Sequence, residues 1–264
     1  MDLKLKDKTA FISGSTSGIG YTTAKILLQE GMTVYINGRS DDNIKRSIDQ
    51  LKKDVHGAKI FGIKANFLHQ KDVYQILSTL KEVDVLINNV GIYTSKSFFD
   101  TEIETWEEQF HVNIMSGVTL SKHYLNGMIK RNWGRIIFIS SECSYIVPSD
   151  MISYSATKSA IHAVSRGISH LTRGTRVTSN VVVPGSTLSK GAEKFILEKA
   201  KSDNITIKEV EDNFFKNERQ NSLLERFTAT EEVAKTIAYL CSPHSSATNG
   251  SVIKVDGGSS GGIF

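Results

Sequence analysis

Thr9-Ala10-Phe11-Ile12-Ser13-Gly14-Ser15-Thr16-Ser17-Gly18-Ile19-Gly20 is the stretch on which the reading of this chain turns. Thr9 to Ile12 reads as a short buried strand. It runs at once into glycines spaced G-x-x-x-G-x-G, and a helix follows to about Glu30, stopping at Gly31. Glycine lets the backbone turn tightly and lets an anion approach it closely. The helix start adds free N–H groups and a positive dipole end. Gly14, Ser15, Ser17, Gly18, Ile19 and Gly20 therefore form a candidate phosphate cradle. The spacing departs from the commoner G-x-G-x-x-G, and glycines at such a junction taken alone are also ordinary turn chemistry.

Working outward, the pattern repeats. Strand-like runs fall at Thr33–Asn37, Ile60–Ala65, Asp84–Ile87, Arg135–Ile139, Val177–Val183 and Val252–Val255. Between them lie helical patterns. Ile44, Ile48, Leu51 and Val55 form one apolar stripe, with Asp41 and Asp42 near its start. Val73, Ile76, Leu77 and Leu80 form another. A long helical region is expected from about Glu104 to Arg131, and a further helix runs from Tyr154 through Ile161, Val164, Ile168 and Leu171. Short apolar strands alternating with amphipathic helices predict an α/β fold: a doubly wound parallel sheet of about seven strands with helices on both faces. With no Pro-rich or low-complexity linker, residues 1–264 are expected to form a single domain.

Composition narrows the function. A hydrophobic fraction of 39% and a charged fraction of 23% are ordinary for a globular chain of 264 residues. The net charge of +4 is spread among acids with no basic block, so no nucleic-acid partner is expected. No apolar run approaches a membrane span. The N-terminal residues are charged and lack the apolar core of a signal peptide. Cys143 and Cys241 suggest neither a disulfide framework nor a metal site, and the cytoplasm is the expected location. The histidines and acids show no ligand spacing, so no metal is expected.

The tip of the second strand addresses the nucleotide. An acid there would hold a ribose 2′-hydroxyl. The chain reads Asn37-Gly38-Arg39-Ser40 instead, and the planar fork of Arg39 suits a 2′-phosphate. Ser15, Ser17, Asn37 and Ser40 are candidate hydrogen-bonding neighbours. NADP(H) is the expected cofactor. Asp41 and Asp42, a little further on, keep NAD(H) as the alternative.

A second cluster carries chemistry. Tyr154 and Lys158 stand one helical turn apart, on one helix face. An ammonium beside a phenol favours the phenolate. Ser141 sits at the end of the strand that precedes them. The three side chains could converge on one substrate oxygen, although Tyr-x-x-x-Lys taken alone also arises by chance in many helices.

Together these residues resemble the short-chain dehydrogenase/reductase family, in particular its 3-oxoacyl-carrier-protein-reductase-like branch, over nearly the whole chain. Ser13-Gly14-x-x-x-Gly18-Ile19-Gly20 matches the family's glycine motif, with Ser13 for the usual Thr. Asn88-Asn89-Val90-Gly91 matches Asn-Asn-Ala-Gly, with Val90 for Ala. The resemblance implies that Asn89 and Gly91 line the cofactor. Asn66, where an Asp is usual, would accept from the adenine amine. Pro184-Gly185 resembles the loop that closes over the nicotinamide, with Thr187 and Ser189 at its carboxamide end.

The resemblance also implies roles for Asn113, Ser141, Tyr154 and Lys158. Tyr154 would be the general acid/base, and Lys158 would lower its pKa and hold ribose hydroxyls. Ser141 would donate to the substrate oxygen, and Asn113 would support a water relaying protons to Lys158. The implied reaction interconverts a ketone and a secondary alcohol. The alternatives are an NAD-dependent alcohol or sugar dehydrogenase and a non-catalytic dinucleotide-binding regulator. A homotetramer or homodimer is implied, through the helices of Asn113 and Tyr154 and the last strand. Glu142 and Cys143 border the pocket without an expected chemical role. The segment at about 186–226 is expected to form a helical substrate lid, with Ala192, Phe195, Ile196 and Lys199 on one helix and Ile207, Val210 and Phe214 on another. The alternative is that these apolar residues only dock the helices on the domain.

The assignment of Arg39 makes a prediction. Arg39→Ala should lower the ratio of kcat/KM with NADPH to that with NADH by about tenfold or more. An unchanged ratio would remove Arg39 from the 2′-phosphate.

Overall fold

A computed structural model describes residues 2–262. In chain order the first half is β1 (Thr9–Ile12), α1 (Gly18–Gln29), β2 (Thr33–Gly38), α2 (Asp41–Asp54), β3 (Lys59–Lys64), α3 (Gln70–Thr79), β4 (Val85–Asn88), α4 (Ile103–Phe110) and α5 (Ser116–Lys130). The second half is β5 (Gly134–Ile139), α6 (Cys143–Ile146), α7 (Ile152–Leu171), β6 (Val177–Pro184), β7 (Thr187–Leu188), α8 (Lys190–Asp203), α9 (Ile207–Asn217), β8 (Thr228–Ala229), α10 (Thr230–Cys241) and β9 (Val252–Val255).

Seven of the strands form one parallel sheet in the order β3-β2-β1-β4-β5-β6-β9. β1 lies in the middle with β2 on one side and β4 on the other, so the chain winds outward twice from it. The connections after β1 and β4 leave in opposite directions, and a crevice opens at their C-terminal ends.

Strand side chains alternate between two apolar layers. Ala10, Ile12, Val85, Ile87, Ile137 and Ile139 face one layer with Leu27 and Leu28 of α1, Leu51 of α2 and Ile237 of α10. Phe11, Leu86, Ile136 and Phe138 face the other, with Ile76 of α3, Leu120 and Met128 of α5 and Ile161 of α7. Each fully buried Leu, Ile or Phe contributes about 1.5–3 kcal/mol. The near-continuous apolar strands are thus those of a sheet covered on both sides.

Two departures from the sequence pattern matter. The long helix expected from about Glu104 to Arg131 is interrupted by a π-helical turn, His111–Met115, which holds Asn113. Such turns break the regular ladder and re-aim a side chain. The pattern also gave no helix between Arg226 and Val252, where α10 buries Val233, Ala234, Ile237, Ala238 and Leu240 against the sheet. Short β7 and β8 pair with each other and frame α8 and α9, which share a small core of Ile196, Ala200 and Val210.

The glycine turn is fastened to both neighbouring strands by buried hydroxyls. Ser13 Oγ accepts the N–H groups of Asn89 and Val90, each at 3.0 Å, and is fully buried. Ser15 Oγ donates to Ile12 O at 2.7 Å and accepts Asn37 N–H at 3.0 Å. Ser13→Ala would leave two part-buried donors without their acceptor, and should lower the unfolding free energy by about 1–2 kcal/mol in urea denaturation.

Candidate active site

The cradle is built by backbone conformation. Gly14 has φ +61°, and a Cβ there would lie 3.0 Å from Val90 Cα. A Cβ on Gly20 would lie 2.6 Å from Asn89 Nδ2. The N-cap of α1, Ser17, makes no side-chain cap, and the first turn carries no acid. Its N–H groups therefore face the crevice without a partner side chain, which fits a pyrophosphate.

Several side chains expected at the cofactor are committed to the fold instead. The hydroxyl of Ser15 is fully buried and used within the turn. Asn37 accepts Gly14 N–H at 3.0 Å and donates to Ile63 O and Ala65 O. These two residues shape the cradle, and their side chains are not presented to a ligand. Asn89 Nδ2 donates to Ser13 O and Gly14 O at 3.0 and 2.8 Å. Asn66 Oδ1 accepts Leu68 N–H at 3.2 Å, which leaves it further acceptor capacity. The Thr187 hydroxyl donates to Gly185 O at 2.9 Å and lies 3.0 Å from Thr228 Oγ1. Ser189 caps α8 by accepting Ala192 N–H. Arg39 is exposed just beyond β2, and Asp41 is paired with Lys64 at 2.7 Å.

The second cluster lies across the crevice. Ser141 follows β5, and Tyr154 and Lys158 stand on α7. Ser141 Oγ accepts Cys143 N–H at 3.2 Å and lies near enough to the Tyr154 phenol to favour its ionised form. Lys158 is buried. Its Nζ donates to Ile139 O at 2.9 Å and lies 5.6 Å from the centre of the Tyr154 ring. Gly91 borders the same ammonium. Pro184, at the end of β6, accepts Glu142 N–H at 2.8 Å, and Gly185 N–H donates to Val255 O at 3.1 Å.

The electrostatics differ from the simple expectation of an ammonium drawing the phenol down. Burial dominates and pushes the Tyr154 phenol well above its ordinary range, with the nearby Ser141 hydroxyl opposing it. Burial pushes Lys158 down to about 8. With no counter-charge in contact among the described residues, each group leans toward its neutral form.

The side chain of Asn113 has a structural commitment. Its Oδ1 accepts Ile92 N–H at 2.8 Å, and its Nδ2 donates to Ile92 O and Thr157 Oγ1 at 2.9 and 3.0 Å. Both amide donors are thus used in clamping the strand that leaves β4 to the helix of Tyr154. The side chain positions the site.

Sequence reasoning missed three contributors. Thr157 completes the Asn113 clamp and is buried within α7. Tyr93 packs edge-on to Tyr154 with ring centres 5.9 Å apart. Arg219 reaches Glu142 at 2.9 Å. Thr157 adjoins Lys158 in sequence and Tyr93 closely follows Gly91, so both were signalled by proximity to the motifs. Arg219 had no such signal. Val147, at the end of α6 between Ser141 and Tyr154, has φ +42°, a conformation that costs a β-branched residue about 1–3 kcal/mol.

Fold and site thus define an α/β nucleotide-binding enzyme with a Ser-Tyr-Lys cluster. Residues 8–199 match the family model described as short chain dehydrogenase. The chain belongs to the short chain dehydrogenase family, and it is an oxidoreductase. It is 39% identical over 264 residues to an uncharacterized oxidoreductase, YvaG, of Bacillus subtilis, covering all of both chains. It is 30% identical over 262 residues to the 3-oxoacyl-[acyl-carrier-protein] reductase FabG of Aquifex aeolicus, covering 98% of this chain and 99% of the relative. Among solved structures, L-sorbose reductase of Gluconobacter frateurii, complexed with NADPH and L-sorbose, superposes over 100% of both chains with a TM-score of 0.92 at 25% identity. Among the described residues no helix is long and apolar enough to cross a membrane, and no group of His, Cys, Asp or Glu is placed to hold a metal.

The buried ammonium has a stability signature. Between about pH 8 and 10.5 the unfolded chain retains a proton that folded Lys158 has released, so stability rises with pH across that window. The unfolding free energy of the wild type relative to Lys158→Met should therefore increase by about 1–3 kcal/mol from pH 7.5 to pH 10. A flat difference would mean that Lys158 titrates as an exposed lysine.

Proposed function

We propose that this protein interconverts a ketone and a secondary alcohol with NADP(H), using Tyr154 as the general acid/base. The observation that carries the reading is the convergence of the Ser141 hydroxyl, the Tyr154 phenol and the Lys158 ammonium at the strand ends beside an uncapped helix N-terminus. The backbone of residues 14–20 would hold the pyrophosphate, Arg39 the 2′-phosphate, Asn66 the adenine, and Asn89, Gly91, Pro184 and Gly185 the nicotinamide side. The cofactor supplies or receives the hydride when bound. L-sorbose reductase, solved with NADPH, supports this choice of cofactor. So do an exposed Arg39 at the tip of β2 and an Asp41 already paired with Lys64.

The chain's own groups handle the proton. A phenol pushed up by burial stays protonated at neutral pH, as an acid must before it gives its proton to a developing alkoxide. Ser141 donates to the same oxygen and stabilises the charge that develops there. Once the proton has left, the Lys158 ammonium stabilises the phenolate, and a pKa of about 8 lets it exchange protons near neutral pH. Asn113 keeps the two helices in register through Ile92 and Thr157.

The segment 186–226 fits a lid that is fastened at both ends. Ser186 Oγ bonds Glu142 at 2.7 Å, and the N–H groups of Leu223 and Leu224 donate to Gly257 O at 2.8 and 3.2 Å. Exposed Phe99, Ile103, Phe110 and Met115, on and around α4, support self-association through that helix into a homodimer or homotetramer.

Tyr154→Phe should lower turnover of a carbonyl substrate, followed by absorbance of the reduced cofactor, by about 10²–10⁴-fold, with cofactor affinity retained. Turnover equal to that of the wild type would remove Tyr154 from the acid/base role.

A further inference from the structure

Glu142 follows Ser141 directly and is 3% exposed. Its Oε1 accepts from the Ser186 hydroxyl at 2.7 Å and from Arg219 Nε at 2.9 Å. Its Oε2 is shut off from solvent and has no hydrogen-bond partner among the described residues. A carboxylate accepts through both oxygens and donates through neither, and leaving one of them bare in the interior is unfavourable. The arrangement is held firmly. Arg219 is braced over the Phe214 ring at 5.3 Å and donates to Glu218 O at 2.8 Å. Both partners of Oε1 belong to the lid segment, so parting the lid to admit substrate also opens the surroundings of Oε2. The carboxylate lies close enough to the reacting centre for its charge to be felt at Tyr154 and Cys143.

We propose that Glu142 is a specificity-determining residue. Its Oε2 accepts a hydrogen bond from a hydroxyl on the carbon beside the reacting carbonyl, and the substrate class is a neutral hydroxy ketone. The inference rests on the reductase reading above. Arg219 and Ser186 fix the carboxylate through one oxygen, which leaves the other as an acceptor that only a donor can satisfy. A ketone without the hydroxyl leaves that oxygen bare, and discrimination by an unpaired buried group is strong. An oxo acid brings a like charge to it, which is unfavourable in so buried a place.

The test uses the full chain with NADPH and with NADH, and three matched ketones: 1-hydroxybutan-2-one, butan-2-one and 2-oxobutanoate. The wild type should favour the hydroxy ketone over butan-2-one in kcat/KM by at least about tenfold, the value of one charge-assisted hydrogen bond. Two variants separate the role from mere folding. Glu142→Met combined with Arg219→Met removes both charges of the buried pair, a replacement that interiors tolerate. It should bring the hydroxy ketone to butan-2-one ratio close to one. Glu142→Gln places amide N–H groups within reach and should raise the relative use of 2-oxobutanoate by about tenfold. These ratios are internal to each protein, so a general loss of activity does not mimic them. A wild type without preference for the hydroxy ketone, or a preference that survives in the double variant, overturns the assignment of Glu142 and leaves the reductase reading standing. No turnover of any of the three ketones overturns the reductase reading, and this inference with it.

Discussion

The buried hydroxyl of Ser13 holds together the part of the molecule on which the rest depends. Strand ends are where backbone N–H and C=O groups run out of ladder partners, and buried ones must be paired. Ser13 pairs two of them at the end of β4. Ser15 and Asn37 do the same between β1, β2 and β3. With its neighbours tied internally, the glycine turn can leave the first N–H groups of α1 uncommitted. A ligand-ready helix start exists because short side chains satisfy everything around it.

The same economy governs the other side of the crevice. Asn113 clamps Ile92 to Thr157, and the carbonyl of Ile139 fixes Lys158. Both anchors use backbone groups of segments that leave strand ends, so the position of the ammonium is set by the sheet. Burial then does the electrostatic work. It raises Tyr154 and lowers Lys158, so each group is held nearer its neutral form. A pair on an exposed helix face at the same spacing would have the geometry without the shifts.

Glu142 and Arg219 form an ion pair, largely shielded from solvent, that links the end of β5 to the segment after α9. Burying such a pair is rarely a gain in stability over apolar packing. Its place next to Ser141 is what the proposed role in substrate selection would explain.

Much of the fold was legible in the chain. Apolar runs, glycines at the strand-to-helix junction and the i, i+4 pair on α7 follow from local periodicity and backbone sterics, and these specified the parallel sheet, the cradle and the Ser-Tyr-Lys cluster. Local patterns do not carry long-range pairing. The π-turn at Asn113 arises where one helix must serve both the sheet and the Ile92 backbone, so an unbroken helical pattern hid it. Ser15, Asn37 and Thr187 read as ligand contacts because their types suit them, but whether a hydroxyl or amide points outward or is used internally depends on which strands meet around it. Arg219 meets Glu142 across 77 residues of chain. Sequence by itself determined which groups are candidates for the chemistry, because that chemistry resides in residue type and short spacing. The tertiary structure alone decided their pKa shifts and the pocket they face, because burial and pairing are properties of what packs around a group.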